Sequence, residues 1–223
     1  MIPALLAAIA VVSYLLGNLN ASVIASRYVF RRAVRNYGHG VEGLLRVNRV
    51  FGVRGVAAVV AVDAAKSLAA VLLGGAIFRA AAPGAAEAGV VSYAAVGKLF
   101  AGFCLLLGHC WPVLYGFRGG KGAVCALVTL LCVHVPLGLL SLAVCAALIA
   151  LTRYVSLGVL CGAVIAPIGV WAEYGGLCAI LCLLCVLILA ARDRGGLYAL
   201  ARGKAQKLEL KKDLSNKFEE EDF

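Results

Sequence analysis

Long apolar runs, separated by short glycine-rich or charged segments, set the pattern of this chain. Within the runs the apolar residues continue unbroken; they do not alternate with polar ones. A membrane strand would alternate lipid-facing apolar and inward polar residues, whereas a helix satisfies its own backbone N–H and C=O groups in an apolar medium. The runs therefore predict helices near 2–26, 54–79, 92–114, 122–134, 137–151, 155–172 and 177–191. The stretch 122–151 fits either one tilted crossing or two short ones. The two would meet at "HVPLG", where Pro136 and Gly138 are turn formers.

Charge separates these alternatives. With seven crossings, Arg27, Arg31, Arg32, Arg35, Arg46, Arg49, Arg54, Arg118, Lys121, Arg153 and the basic tail from Arg192 share one side. The other side holds Arg79, and Lys98 lies low in the third run. One crossing at 122–151 would put Arg118 and Arg153 on opposite faces. Basic loops stay in the cytoplasm. The predicted fold is thus an all-α, polytopic membrane bundle of about seven helices, N-terminus outside and C-terminus cytoplasmic. Residues 1–192 form the membrane domain, and 193–223 a solvated tail near anionic lipid. Several runs are shorter than the roughly 20 residues of a full crossing, so local thinning of the bilayer is expected.

Composition sharpens this picture. Of 223 residues, 63% are hydrophobic, against about 45–50% in soluble domains, and 14% are charged. That is too few polar groups to cover a soluble domain of this size. The net charge of +10 belongs to loops that follow the positive-inside rule. No basic stretch interleaved with aromatics suggests nucleic acid. No Lys or Arg precedes the apolar residues 2–16, so a signal peptide is not expected. The nine cysteines lie in or beside apolar runs, and no His or carboxylate completes a four-ligand set near Cys178, Cys182 and Cys185. They read as small buried apolar residues, with no metal.

The polar segments carry the chemistry. In "GFRGGKG" (116–122), Gly119, Gly120 and Gly122 free the backbone to turn and expose N–H groups. Lys121 supplies a charge, and a helix beginning near 122 adds its positive dipole end. A phosphate fits this arrangement; so does a hinge with Lys121 and Arg118 as membrane anchors. It is not a Walker A loop, because Gly122 stands where Ser or Thr would follow the lysine. Gly38, Gly40 and Gly43 make a second backbone-rich loop, with His39 and Glu42 able to move protons and Arg49 able to clamp a phosphate or anchor the second helix. Asp63 and Lys66, three apart inside an apolar helix, are expected to form a structural ion pair bracing the site from below. His109 stands near the glycine loop as a residue that orients it. Ser156 at another helix start either caps that helix or donates to a phosphate oxygen.

These residues carry a resemblance. "GHCWPVLYGFRGGKG" (108–122) resembles the second motif of the bacterial membrane acyl-phosphate:glycerol-3-phosphate acyltransferases, with its Gly-His-x-x-Pro and Phe-x-Gly-Gly-Lys-Gly elements in place. "SYLLGN" (13–18), "DAAK" (63–66) and "TRYVSLG" (152–158) resemble further family segments in the same order. The first loop keeps Gly38, Gly40, Gly43 and Arg49. It has His39 where the family has Ser, Val41 and Arg46 for two Asn, and Leu45 for Thr. In the last segment Asp193 stands for His, Gly196 for Asn, Ala199 for Arg and Ala205 for Glu, while Gly203 holds.

The resemblance implies a multi-pass protein of the bacterial plasma membrane, with its active face cytoplasmic. It implies transfer of a fatty acyl group from acyl phosphate to the 1-hydroxyl of glycerol 3-phosphate, giving lysophosphatidic acid for phospholipid synthesis, with no cofactor. Gly38, His39, Gly40, Arg49, His109, Gly119, Gly120, Lys121, Gly122 and Ser156 would line the phosphate site, with no protein nucleophile. The alternative is a non-catalytic lipid-phosphate-binding or regulatory relative. A transporter fits less well, because the polar segments gather at one face rather than the midplane.

Overall fold

The computed structural model describes residues 2–19, 44–81, 93–205 and 207, with the backbone alone at Ile2, 44–46 and 49–51. The described residues are helical and contain no strand. In chain order the helices are α1 (Ile2–Asn18), α2 (Leu44–Ala81), α3 (Tyr93–Cys110), α4 (Ala123–Val133), α5 (Val135–Thr152), α6 (Val155–Tyr174), α7 (Gly176–Arg192) and α8 (Arg194–Ala201). A 3-10 turn, Val113–Tyr115, leads out of α3. Each of the seven predicted runs coincides with one of α1 to α7. The first run predicts a helix to 26, but α1 ends at Asn18 with Leu19 in a bend; residues 20–26 lie outside the described residues.

Among the described residues, four helical segments are long and apolar enough to cross a membrane: Gly52–Ala81, Tyr93–Tyr115, Val135–Thr152 and Val155–Tyr174. α7 reaches that standard together with α8, the two being bent by 63°. Pro3–Asn18 and Ala123–Val133 are apolar but shorter. Large apolar side chains such as Leu151, Ile168, Trp171 and Leu177 point outward from the bundle. Water would penalise such a surface, and lipid does not.

α3 is the central post, packed by α1, α2, α4 and α7. Its buried residues Leu99, Leu105 and Leu106 join two apolar clusters, one with Leu130, Leu137 and Val170, the other with Ala70, Cys125 and Leu189. Small residues let the helices approach. A Cβ on Gly108 would collide with the Tyr14 carbonyl of α1, and one on Gly74 would come 2.7 Å from the Gly97 carbonyl of α3. In lipid, where apolar burial between helices drives little, such backbone approach supplies the dispersion contacts that hold the pair.

The run 122–151 is two helices, broken at His134, whose backbone is extended (φ −147°). Pro136 falls in the first turn of α5, where a missing N–H costs nothing. Gly138 does not turn the chain as expected; it lies inside α5, packed so that a Cβ would meet Leu131 at 2.6 Å. At 1.5 Å per residue, the 11 residues of α4 cover about 16 Å, short of the ~30 Å hydrocarbon layer. Its terminal carbonyls therefore need donors inside the bundle. Lys98 Nζ donates to the Cys132 carbonyl at 2.5 Å, and the Tyr174 hydroxyl to that of Val133 at 3.0 Å. The half-buried cation of the third run is thus a cap on a helix end.

Candidate phosphate site

The glycine loop leaves the 3-10 turn through two left-handed residues, Gly116 (φ 62°) and Phe117 (φ 61°), and enters α4 through a third, Gly122 (φ 79°). Phe117 pays a steric cost there that glycine would avoid. Between these points the loop is clamped from two sides.

From below, His109 holds it. The Gly120 N–H donates to the His109 carbonyl at 3.1 Å. The Nε2 edge of the imidazole lies so close to Gly120 that any Cβ would collide with it. His109 Nδ1 stands 2.9 Å from Lys66 Nζ. Lys66 Nζ is also 2.7 Å from Asp63 Oδ1 and donates to the Leu19 carbonyl at 2.7 Å. Asp63, Lys66 and His109 therefore form one buried cluster whose upper edge touches the loop. Asp63, His109 and Cys125 place ligand-type atoms within 4.8 Å of one another, and the cation beside them is the Lys66 ammonium.

From above, α7 holds the loop. Arg192 donates from Nη2 to the Gly119 carbonyl at 2.9 Å and from Nε to the Gly120 carbonyl at 3.3 Å. Its guanidinium lies 5.5 Å from the centre of the Trp111 ring. A planar fork suits two successive carbonyls and an aromatic face; a lysine would manage one of these at a time. Lys121 pairs with the Asp193 carboxylate. Asp193 is 7% exposed and Lys121 33%, so the lysine faces outward and the carboxylate lies behind it. A Cβ on Gly196 would touch both Ser156 Oγ and, at 2.6 Å, Asp193 Oδ1, which brings the start of α6 to the same place.

Loop 116–122, the α5–α6 turn and the α7–α8 bend thus converge at one end of the bundle. Three expectations change. The Gly120 N–H is not exposed to a ligand, because the His109 carbonyl uses it. Ser156 does not cap α6; Tyr154 holds that position without a side-chain bond, and Ser156 faces Gly196 instead. Lys121 is not a bare cation; its charge meets Asp193. Gly38, His39 and Gly40 lie outside the described residues, and Arg49 is described as backbone within α2, three residues before the non-helical Gly52 (φ 60°). In the sequence alone, Arg192 stands only as the first basic residue of the tail. The available signal was its place in the last turn of an apolar helix, one residue before an isolated acid. Asn18, buried at the end of α1 with Nδ2 donating to the Tyr14 carbonyl at 3.1 Å, is likewise not among the expected site residues.

The family model for glycerol-3-phosphate acyltransferase matches residues 7–203, nearly the whole helical part of the chain. The chain belongs to the glycerol-3-phosphate acyltransferase family. Among curated relatives, it is 36% identical over 134 residues to the glycerol-3-phosphate acyltransferase of Thermoanaerobacter pseudethanolicus, covering 60% of each chain. It is 38% identical over 122 residues to that of Neisseria meningitidis, covering 55% of this chain and 56% of the relative. The matched stretch thus spans less than two thirds of these relatives. Two solved structures share the fold. They are PlsY, an integral membrane glycerol 3-phosphate acyltransferase, in its glycerol 3-phosphate form (TM-score 0.76, 24% identity) and its lysophosphatidic acid form (TM-score 0.75, 22% identity). Each covers 92% of this chain and 96% of the other. With this fold and its apolar helices, the family member described here is an integral membrane protein.

Proposed function

We propose that this protein transfers a fatty acyl group from acyl phosphate to the 1-hydroxyl of glycerol 3-phosphate, releasing inorganic phosphate and forming lysophosphatidic acid. The observation that carries the reading is the clamped loop: Gly119 and Gly120 are locked between His109 and Arg192, and Lys121 is presented outward beside them. A preorganised cation in a low-dielectric site stabilises the negative charge that develops on an acyl-transfer intermediate. Lys121 holds a substrate phosphate, with Arg49 and Ser156 joining it. Gly38, His39, Gly40 and Gly122 complete the lining, while His109 and the Asp63–Lys66 pair keep the loop in place.

The acceptor oxygen bonds to the acyl carbonyl carbon. The carbon–oxygen bond to phosphate breaks, and the hydroxyl proton passes to a substrate phosphate oxygen. No protein nucleophile or cofactor takes part, and the rate gain comes from holding both substrates in reactive orientation. The bundle crosses the bacterial plasma membrane seven times, N-terminus outside, with this site at the cytoplasmic face and residues 193–223 as the cytoplasmic tail. The excess of basic residues on that side supports this topology.

The test uses purified full-length protein in lipid, palmitoyl phosphate and radiolabelled glycerol 3-phosphate. Labelled lysophosphatidic acid should form, and Lys121→Ala should abolish it. Product at equal rates from both proteins would refute the reading, as would no product from folded wild-type protein.

A further inference from the structure

Asp193 is an acid that the acyltransferase pattern does not carry at its place, and its position in the fold is unusual. It is the N-cap residue of α8, at the 63° bend from α7. An Asp there ordinarily accepts from the N–H groups of the first helical turn, which stabilises the helix start. This one does not: it makes no side-chain cap bond and turns to the Lys121 ammonium instead. The N–H groups it leaves belong to a turn containing Gly195 and Gly196, so no side chain at either position obstructs its return.

We infer that Asp193 is an internal anion on the phosphate site, a latch that a substrate phosphate must displace and that has a second resting place as the cap of α8. This rests on the reading of Lys121 as a phosphate ligand. The ligand class is a phosphate monoester or acyl phosphate, whose double charge outcompetes one carboxylate. Monoanions and neutral polyols lack the charge to open the pair. Arg192, tied to the loop next door, stays in place while Asp193 swings, so the exchange leaves the Gly119–Gly120 backbone undisturbed. A site whose competent state is only fractionally populated binds more weakly by that fraction. A latch closed nine-tenths of the time therefore weakens phosphate binding roughly tenfold.

The experiment measures binding to full-length protein in lipid nanodiscs by calorimetry, with inorganic phosphate, glycerol 3-phosphate, dodecyl phosphate and glycerol as separate ligands. Asp193→Asn keeps the shape and the capping ability but removes the charge; Asp193→Ser also caps without charge, through a shorter side chain. Both should bind glycerol 3-phosphate, dodecyl phosphate or both about tenfold more tightly than wild type. Whichever arm gains identifies the substrate phosphate that Lys121 holds. Glycerol should show no gain, and Lys121→Ala should erase the gain in the double variant.

Unchanged or weaker phosphate binding in folded variants overturns the latch. So does failure of both variants to fold, which would make the pair a structural brace. Turnover is measured separately. Tighter binding without any acyl transfer by wild type would keep the latch and remove the catalytic reading. Acyl transfer with unchanged affinities would do the reverse.

Discussion

Replacing Lys66 by Met removes one partner of a buried ion pair and leaves the other where it cannot be solvated. Asp63 and Lys66 are 6% and 5% exposed, and Lys66 Nζ contacts Asp63, the Leu19 carbonyl and His109 Nδ1, all between 2.7 and 2.9 Å. Breaking such a pair from one side costs about 3–5 kcal/mol, because the remaining charge stays buried. In a protein of this size 1 kcal/mol moves the melting temperature by roughly 2–4 °C, so Lys66→Met should melt about 6–20 °C below wild type. The double variant Asp63→Leu/Lys66→Met removes both charges and should recover most of that loss. The assay is built into the chain: Cys104, Cys110, Cys125, Cys178, Cys182 and Cys185 are buried free thiols that react with a fluorogenic maleimide on unfolding. A Lys66→Met protein melting within about 2 °C of wild type would refute the reasoning. A double variant less stable than the single would also refute it, because the cost would then come from packing rather than from the stranded carboxylate.

Three further outcomes follow from the geometry around the loop. Gly120→Ala places a Cβ against the His109 ring and should reduce lysophosphatidic acid formation at least tenfold; unaltered turnover would show that the clamp from below is irrelevant. Arg192→Lys keeps the charge but loses the fork across the Gly119 and Gly120 carbonyls, so kcat/KM should fall roughly tenfold; equal values would mean charge alone suffices. Lys98→Met leaves the Cys132 carbonyl without its charged donor and should lower stability by about 1.5–3 kcal/mol in the same thiol assay, with little effect on glycerol 3-phosphate affinity, since it caps the end of α4 away from the loop.

Residue order along the chain was enough to locate α1 to α7, though not the extension of α2 back to Leu44 or the short helix α8. Each unbroken apolar run became one, because a backbone in lipid must satisfy its own hydrogen bonds, and that demand depends on local sequence alone. The break in the run 122–151 was legible from charge, because one crossing would have split Arg118 from Arg153, although the chain turns at His134 and not at Gly138. The glycine loop was legible too, since glycines around a lysine before a helix mark a turn wherever they occur. Gly116 and Gly122 do adopt the left-handed backbone that glycine permits.

What surrounds the loop was decided only by the tertiary structure. Arg192 and Asp193 lie more than 70 residues from the glycines and lysine they bind, and the local sequence shows no more than an arginine in the last turn of an apolar helix beside an isolated acid, without saying what either binds. The same holds for Lys98, which reads as a stray charge until α4 is seen to end beside it. Local pattern reports how a segment meets its solvent. Which charge meets which carbonyl depends on where helices of unequal length stop against one another, and that emerges only when α3, α4 and α7 are packed together.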